Sequence, residues 1–299
     1  PEVLHLAEIT KPTPKKDEVL IKVLAASVTK YDSWVRSNTA PPGFDLIMRV
    51  VSGKAPKQRI LGTDLAGTVA GLGKDASQFK IGDPVFGFTG MKLGAYAEYI
   101  CLPEDSVAPK PVNATFEEAA SILQGALTAY FFLRKAGIQS GQKVLVFGAS
   151  GGVGAYAVQI AKHHFQADVT GVCSAAKMDR VKSLGANHVI DYKHEDFTKN
   201  DVVYDVIFDT VGKTPVFRTR HSLNKNGYYL LATFGLPMFF KLMWLSLTSR
   251  RHVVIGALKE TNDDLLMIKD LVESGVIHPV IDRCFPLSQV AEAHHYVES

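Results

Sequence analysis

The apolar positions fall into two regimes along the chain. Up to about residue 112 they form short runs broken by glycine and proline: EVLIKVLAASV (18–28) after Pro12 and Pro14, GTDLAGTVAGLG (62–73), DPVFGF (83–88) and the alternating GAYAEYICLP (94–103). Short runs with this punctuation predict the strands of a compact barrel or sandwich-like unit. Beyond Pro111 the period changes. TFEEAASILQGALTAYFFLRKAG (115–137) carries apolar residues at helical spacing, and Thr115 with Glu118 three residues later predicts a capping box. Strands and helices then alternate: VLVFG (144–148), a helix over 152–164, DVTGVCS (168–174), a helix over 176–184, HVIDY (188–192), VIFDTVG (206–212) and YYLLATFG (228–235). Apolar, β-branched strands separated by helices predict a parallel, doubly wound α/β sheet. The tail leaves that pattern, with a helix over 262–275, a strand over 280–287 and a final helix over 288–299 capped by Ser288.

Composition changes this picture little. The 299 residues, 46% hydrophobic and 21% charged, suit one large or two moderate domains. A net charge of +3 is too small to argue for nucleic acid and fits attraction to an anionic small molecule. The three cysteines, Cys101, Cys173 and Cys284, are widely spaced with no C-x-x-C. That spacing excludes a disulfide framework and a cysteine-rich zinc lobe, and it leads us to expect a reducing, cytoplasmic compartment. No apolar run reaches the length of about 18 residues needed to span a bilayer. The chain opens at Pro1 without a methionine, so targeting stays open.

The densest chemistry lies in VLVFGASGGVGAYAVQIAKHH (144–164). Gly148, Gly151, Gly152 and Gly154 stand between a strand and a helix, where glycines permit the tight turn and let the backbone approach a pyrophosphate. The N–H groups and dipole at the helix start then hold that anion. A structural turn alone would also select glycine, but the strand and helix on either side supply the context that a dinucleotide site demands. An NAD-preferring site carries an acid about 20 residues further on, at the end of the second strand. Ser174 stands there instead, followed by Lys177 and Arg180. A hydroxyl and two cations suit the 2′-phosphate of NADP(H), whereas a solvated helix face is the plainer account of the two cations.

GASGGVG (148–154), LGTDLAGTV (61–69), GDPVFG (82–87), GAYAEY (94–99), QGALTAY (124–130) and the tail VIDRCFPLSQVAEAHHYVES (280–299) together resemble the medium-chain dehydrogenase/reductase superfamily, in its zinc-free quinone oxidoreductase branch. The resemblance runs over nearly the whole chain. It implies a GroES-like catalytic domain from 1–112, a Rossmann NADP(H)-binding domain over 113–258 and a return segment, 259–299, to the first domain, with the active site in the cleft between. In that family a further strand and a basic–Gly–Asn-type segment follow the helix that ends at Ser299, which implies that part of the cofactor clamp lies beyond it. Zinc-dependent relatives carry ligands where this chain has Thr29, Thr63 and Gln124, and the single carboxylate of Asp64 cannot replace thiolate and imidazole ligands. His163–His164 and His294–His295 are adjacent pairs on helices, pointing to different faces, and read as surface or partly packed side chains. No metal is therefore expected.

Without a Lewis acid, hydride delivery to an electron-poor acceptor, a quinone or α,β-unsaturated carbonyl, needs less help than alcohol oxidation. By resemblance, Thr29 stands where relatives carry an Asn at the nicotinamide, Asp32 matches a recurrent acid, Trp34 replaces a tyrosine of the substrate cleft, and Tyr31 is a hydroxyl donor beside them. A helix-start cap is the plainer reading of Asp32. Gln124 and Thr128 match the motif that approaches the nicotinamide and its phosphates. Tyr31, Asp32 and Gln124 are the catalytic candidates. Ser150, Val153, Tyr192, Val211, Gly212, Phe234 and Gly235 complete the expected cofactor contacts, most of them at strand C-termini, where open α/β sheets bind ligands. The apolar segment 234–251 reads as a lid over the cleft or a dimer contact ahead of a membrane-surface contact helped by Arg250 and Arg251, and HVVIGAL (252–258) as an edge strand for a homodimer. The expected function is a zinc-independent NADPH reductase of a hydrophobic quinone or enone. An enoyl-thioester reductase, a non-catalytic NADPH-binding regulatory protein and a zinc alcohol dehydrogenase are the competing readings.

Overall fold

The computed structural model describes residues 1–37, 39, 60–214, 216–233, 235, 238, 241–242, 250–256 and 261–299. The early punctuated runs form β1 (Glu18–Ala26), β2 (Asp64–Leu72), β3 (Pro84–Phe88), β4 (Tyr99–Pro103) and β5 (Val107–Pro109), with α1 (Lys30–Ser37) after the first strand. Every pairing among the five strands is antiparallel, in the order β4-β1-β2-β3-β5. Val19, Ile21, Leu65, Val69, Val85, Leu102 and Val107 turn inward from this sheet as one buried cluster.

The alternating half forms a second, six-stranded parallel sheet. Its elements are β6 (Lys143–Phe147), α3 (Gly152–Gln159), β7 (Asp168–Cys173), α4 (Met178–Ser183), β8 (His188–Asp191), β9 (Tyr204–Asp209), α5 (Val216–Ser222), β10 (Leu223–Leu231) and β11 (His252–Ile255). The order β11-β10-β9-β6-β7-β8 places β6 beside both β7 and β9. From β6 the chain winds outward through β7 and β8, then returns to the other side of β6 at β9. The crevice between the C-terminal ends of β6 and β9 is thus the topological switch point, where such sheets bind ligands.

Between the sheets runs α2 (Phe116–Ala136), buried on most sides. Its Ala, Ile, Leu and Phe residues share one core with Ala66, Phe86 and Ala108 of the first sheet and with Val144, Val146 and Phe208 of the second. A helix apolar almost all round belongs in an interior, and this one joins the two halves. The Thr115 side chain accepts from Glu118 N while the Glu118 side chain accepts from Thr115 N. Thr115→Ala is expected to cost about 1 kcal/mol, seen as a fall of about 2–4 °C in Tm by differential scanning calorimetry.

The tail packs back on the first half. α6 (Asn262–Glu273) follows a second capping box at Thr261, and Asn262 Nδ2 donates to Val107 O on β5 (2.8 Å). α7 (Val290–Glu298) meets α1 through an Arg36–Glu298 ion pair. Two expectations fail in this tail. Residues 280–287 form no strand, because the run that leads into them is held by side chains of α3: His278 N donates to Gln159 Oε1 (2.7 Å) and Val280 N to Tyr156 Oη (3.3 Å). Ser288 is not the cap of the last helix either; it sits inside a 3₁₀ turn over Leu287–Gln289, and the N-cap Gln289 makes no side-chain bond. The helix expected over 152–164 ends as α at Gln159 and finishes in a π turn.

Phe234 and most of 234–251 lie outside the described residues. Of that segment, Leu242 is buried and Met238 packs against the same cluster on the second sheet. No helix among the described residues is long and apolar enough to cross a membrane.

Candidate active site

A cleft of about 1150 Å³ opens between the two sheets, bounded by the Gly148 loop, the N-terminus of α3, α1, α2 and the segment 280–287. Its floor is the switch point. Gly148 adopts φ +82°, a conformation rarely open to side chains, and both Gly148 N and Ala149 N donate to Val172 O (3.0 Å each). A Cβ on Gly154 would stand 2.1 Å from Gly148 O, so this glycine serves the close packing of loop on helix. Gly152 differs: a Cβ there meets nothing within 4 Å, and the residue is exposed at the first turn of α3. The fold has no need of glycine at 152, whereas an anion approaching the free N–H groups of the helix start does. The loop therefore fits a pyrophosphate, and the residues present suit a dinucleotide.

Opposite, the end of β9 completes the crevice. Asp209, 0% exposed, accepts from Val211 N (2.9 Å), Gly212 N (2.8 Å) and Thr214 N (3.0 Å), and from the hydroxyls of Thr214 and Tyr229. This clamp holds Thr210, Val211 and Lys213 along the cleft wall. Thr210 Oγ1 also donates to Phe147 O (2.8 Å), locking the loop against β6. Nothing in the local pattern marks Asp209; only its burial and its converging donors do.

The expected cofactor residues divide by position. Thr29, Thr128, Ser150, Gly151, Gly152, Val153, Lys177, Arg180 and Val211 line the cleft together with Tyr31, Trp34 and Gln124. Ser174, Tyr192 and Gly212 follow the ends of β7, β8 and β9 but lie outside the cleft lining, as does Gly235. Arg180 Nη1 donates to Asp282 Oδ1 (3.4 Å), and Asp282 also accepts from Tyr296 Oη (2.6 Å). These hydrogen bonds, that of Tyr296 first, hold Asp282 below the usual carboxylate range. The segment 280–287 thus ties the end of the cleft where the two cations stand.

Asp32 does not line the cleft. It is fully buried, and its Oδ2 accepts from Thr29 N (2.9 Å) and Thr29 Oγ1 (2.7 Å), the acid at the third position of the helix closing on the residue just before it. Close by lies Asp64, also 0% exposed, whose Oδ2 accepts from Ser27 Oγ (2.8 Å) and Gln124 N (3.2 Å). Burial, and then the neighbouring Asp32 charge, push Asp64 up to about 7 despite the Ser27 bond. Burial likewise raises Asp32 and the Tyr96 phenol, whose hydroxyl donates to Ser27 O (3.1 Å). Hydroxyls, amides and two carboxylates do not make the thiolate and imidazole set of a catalytic zinc. No group of three or more His, Cys, Asp or Glu side chains able to hold a metal gathers among the described residues. His294 departs from the expectation of a surface or partly packed histidine: it is 0% exposed, edge-on to Tyr96, with burial holding it down to about 4 and so neutral. His163, His164 and His295 are exposed.

Comparison with known proteins agrees with this architecture. Residues 15–112 match the alcohol dehydrogenase GroES-like domain family, and residues 184–299 the zinc-binding dehydrogenase family. The 2-methylene-furan-3-one reductase of Solanum lycopersicum is 34% identical over 310 residues, spanning 100% of this chain and 73% of the relative. Among solved structures, the quinone oxidoreductase from Coxiella burnetii superposes with a TM-score of 0.85 at 28% identity, covering 99% of this chain and 92% of that one. The Escherichia coli quinone oxidoreductase complexed with NADPH gives 0.81 at 26%, covering 99% and 93%. With a GroES-like unit, a Rossmann-like parallel sheet and a dinucleotide loop at its switch point, the chain belongs to the medium-chain dehydrogenase/reductase superfamily, in its quinone oxidoreductase-like branch, and is an oxidoreductase.

Proposed function

We propose that the protein is an NADPH-dependent reductase of quinones or α,β-unsaturated carbonyls that works without zinc. The observation that carries this reading is the cleft itself: a pyrophosphate cradle at Gly152, two cations at its outer end, and hydroxyl, amide and apolar groups where a metal would need thiolate or imidazole. The cofactor supplies a hydride when bound. The chain's own residues do the rest. Ser150, Gly152 and Val153 hold the pyrophosphate with main-chain N–H groups and the helix dipole, beside Gly151, whose own N–H closes the turn on Gly148 O. Lys177 and Arg180 meet the 2′-phosphate, with Asp282 orienting the guanidinium. Thr29, Thr128 and Gln124 position the nicotinamide end, and Tyr31 and Trp34 form the acceptor wall. The names of similar proteins support this choice of acceptor: one is an enone reductase and two are quinone oxidoreductases, one of these solved with NADPH. The edge strand β11, the last of the six-stranded sheet among the described residues, is the face we assign to a homodimer.

The test is steady-state oxidation of NADPH, followed at 340 nm, against a panel of quinones, enones and a crotonyl thioester. Turnover of quinone or enone is expected. Tight NADPH binding with no acceptor turned over would sink the reading, and turnover of the thioester alone would move it to an enoyl-thioester reductase. In the same assay Lys177→Ala and Arg180→Ala should each weaken NADPH about tenfold while leaving NADH nearly unchanged, as loss of one charge-assisted bond predicts.

A further inference from the structure

Reduction of a carbonyl-type acceptor needs a proton as well as a hydride, and a hydroxyl that delivers it needs a reservoir to refill it. Ser27 lies at the end of β1 and lines the cleft, while the carboxyl bonded to its hydroxyl, Asp64, is sealed beneath it. Asp64 and Asp32 form a buried acidic pair. One oxygen of each, Asp64 Oδ1 and Asp32 Oδ1, is enclosed without a hydrogen-bond partner among the described residues. A buried carboxylate oxygen with no donor strongly disfavours the ion, and two such ions side by side disfavour each other. The groups facing the pair are Ser27 just after β1, Thr29 just before α1, Gly62 and Thr63 leading into β2, Gln124 from α2, Tyr156 from α3, Tyr96 from the loop before β4 and, beyond Tyr96, the neutral His294 of α7. None of these is a cation.

We propose that Ser27 is the proton donor of the reduction and that Asp64, acting through it, is the reservoir that holds the proton between turnovers. This rests on the reductase reading above. The acceptor first gains a hydride, one hydrogen with two electrons, and NADPH is thereby oxidised to NADP⁺. The negative charge then sits on the acceptor's oxygen. The Ser27 O–H bond breaks and its proton joins that oxygen. The Asp64 O–H breaks in turn and restores the serine hydroxyl, leaving Asp64 as a carboxylate, which regains its proton from water. For a quinone the sum is quinone, NADPH and one proton giving hydroquinone and NADP⁺. The apolar seal that raises the carboxyl also makes it a poised acid, since an acid near the working pH transfers best. A donor must start protonated, so kcat should be level on the acid side and fall tenfold per pH unit above the titration of the pair, centred near 7 for Asp64. The same shift predicts that stability is highest below the ordinary aspartate value and declines as pH rises to about 7, because the fold favours the neutral acid.

The experiment is the pH profile of kcat for wild type, Asp64→Asn and Ser27→Ala, with NADPH Kd by fluorescence and the infrared band of a protonated carboxyl read on the same proteins. Asp64→Asn keeps an acceptor for Ser27 Oγ and Gln124 N, so Kd should hold. Its kcat should drop on the order of 100-fold, its falling limb above pH 7 should vanish, and the carboxyl band should disappear. Ser27→Ala should lose kcat comparably while keeping that band. An Asp64→Asn enzyme with wild-type kcat and an unaltered limb overturns the inference, as does a wild type without the band at pH 6. If Asp64→Asn does not fold, Ser27→Ala decides: full activity overturns the relay, and loss of kcat at constant NADPH Kd supports it. A wild type that reduces no acceptor overturns the reductase reading, whereas an active wild type indifferent to both substitutions overturns the relay alone.

Discussion

Gly152→Asp is expected to abolish cofactor binding in a protein that melts like wild type, whereas Gly154→Ala, a gentler change on paper, is expected to unsettle the fold. The contrast follows from where each Cβ would go. At 152 it enters open space in front of the first turn of α3. A carboxylate there gains slightly from the helix dipole, by about 0.3–1 kcal/mol, so Tm should hold or rise a little. In the proposed site the same charge would face the pyrophosphate. At an effective dielectric of about 20, two unit charges 4 Å apart repel by about 4 kcal/mol, and after allowance for solvent about 3 kcal/mol remains, a loss of over 100-fold in NADPH affinity. At 154 the Cβ would stand 2.1 Å from Gly148 O and 2.8 Å from Gly148 C. Those are backbone atoms and cannot swing aside, so the loop must move; overpacking of this kind costs about 1–3 kcal/mol. Thermal melts with and without NADPH, paired with fluorescence titration, separate the two outcomes. Native NADPH affinity in Gly152→Asp would place the pyrophosphate elsewhere.

Asp209→Ala should be the most destabilising single substitution of the cofactor wall. The carboxylate is 0% exposed and gathers three main-chain N–H groups and two hydroxyls. Truncation strands those donors away from water. Each unsatisfied group costs about 1–3 kcal/mol, so a total of about 3–5 kcal/mol is expected after partial relaxation. At about 2–4 °C per kcal/mol for a chain of this size, Tm should fall by about 10 °C. Because the clamp sets Val211 and Lys213 on the cleft wall, NADPH affinity should fall with it. Asp209→Asn retains one acceptor oxygen and should recover part of both losses, which volume alone would not explain. A Tm within about 2 °C of wild type in Asp209→Ala would show that the loop at 210–214 holds itself.

These two predictions draw on different kinds of information. The Gly148–Gly154 loop is contiguous, and the strand before it and helix after it announce themselves by local period. The change from punctuated strands to strand–helix alternation was equally legible, as were the Thr115 cap and the absence of sulfur and imidazole at Thr29, Thr63 and Gln124. Even so, the row of glycines could not say which of them served the fold and which the ligand. That depended on what each Cβ would touch: backbone for Gly154, nothing for Gly152.

The sequence by itself determined the two architectures and the glycine turn between strand and helix, because these rest on periodicity and on residue types within a few positions of one another. Only the tertiary structure decided the rest. Ser27 meets Asp64 across 37 residues, Gln124 meets Asp64 across 60 and Arg180 meets Asp282 across 102. Asp209 looks like ordinary polar punctuation until burial removes water and forces its partners to converge. Residues 280–287 look like a strand, yet the side chains of Tyr156 and Gln159 take up the main-chain groups leading into them before any strand can. Hydrogen-bond satisfaction in a buried space is settled by whichever groups the fold brings within reach, and no local pattern encodes that.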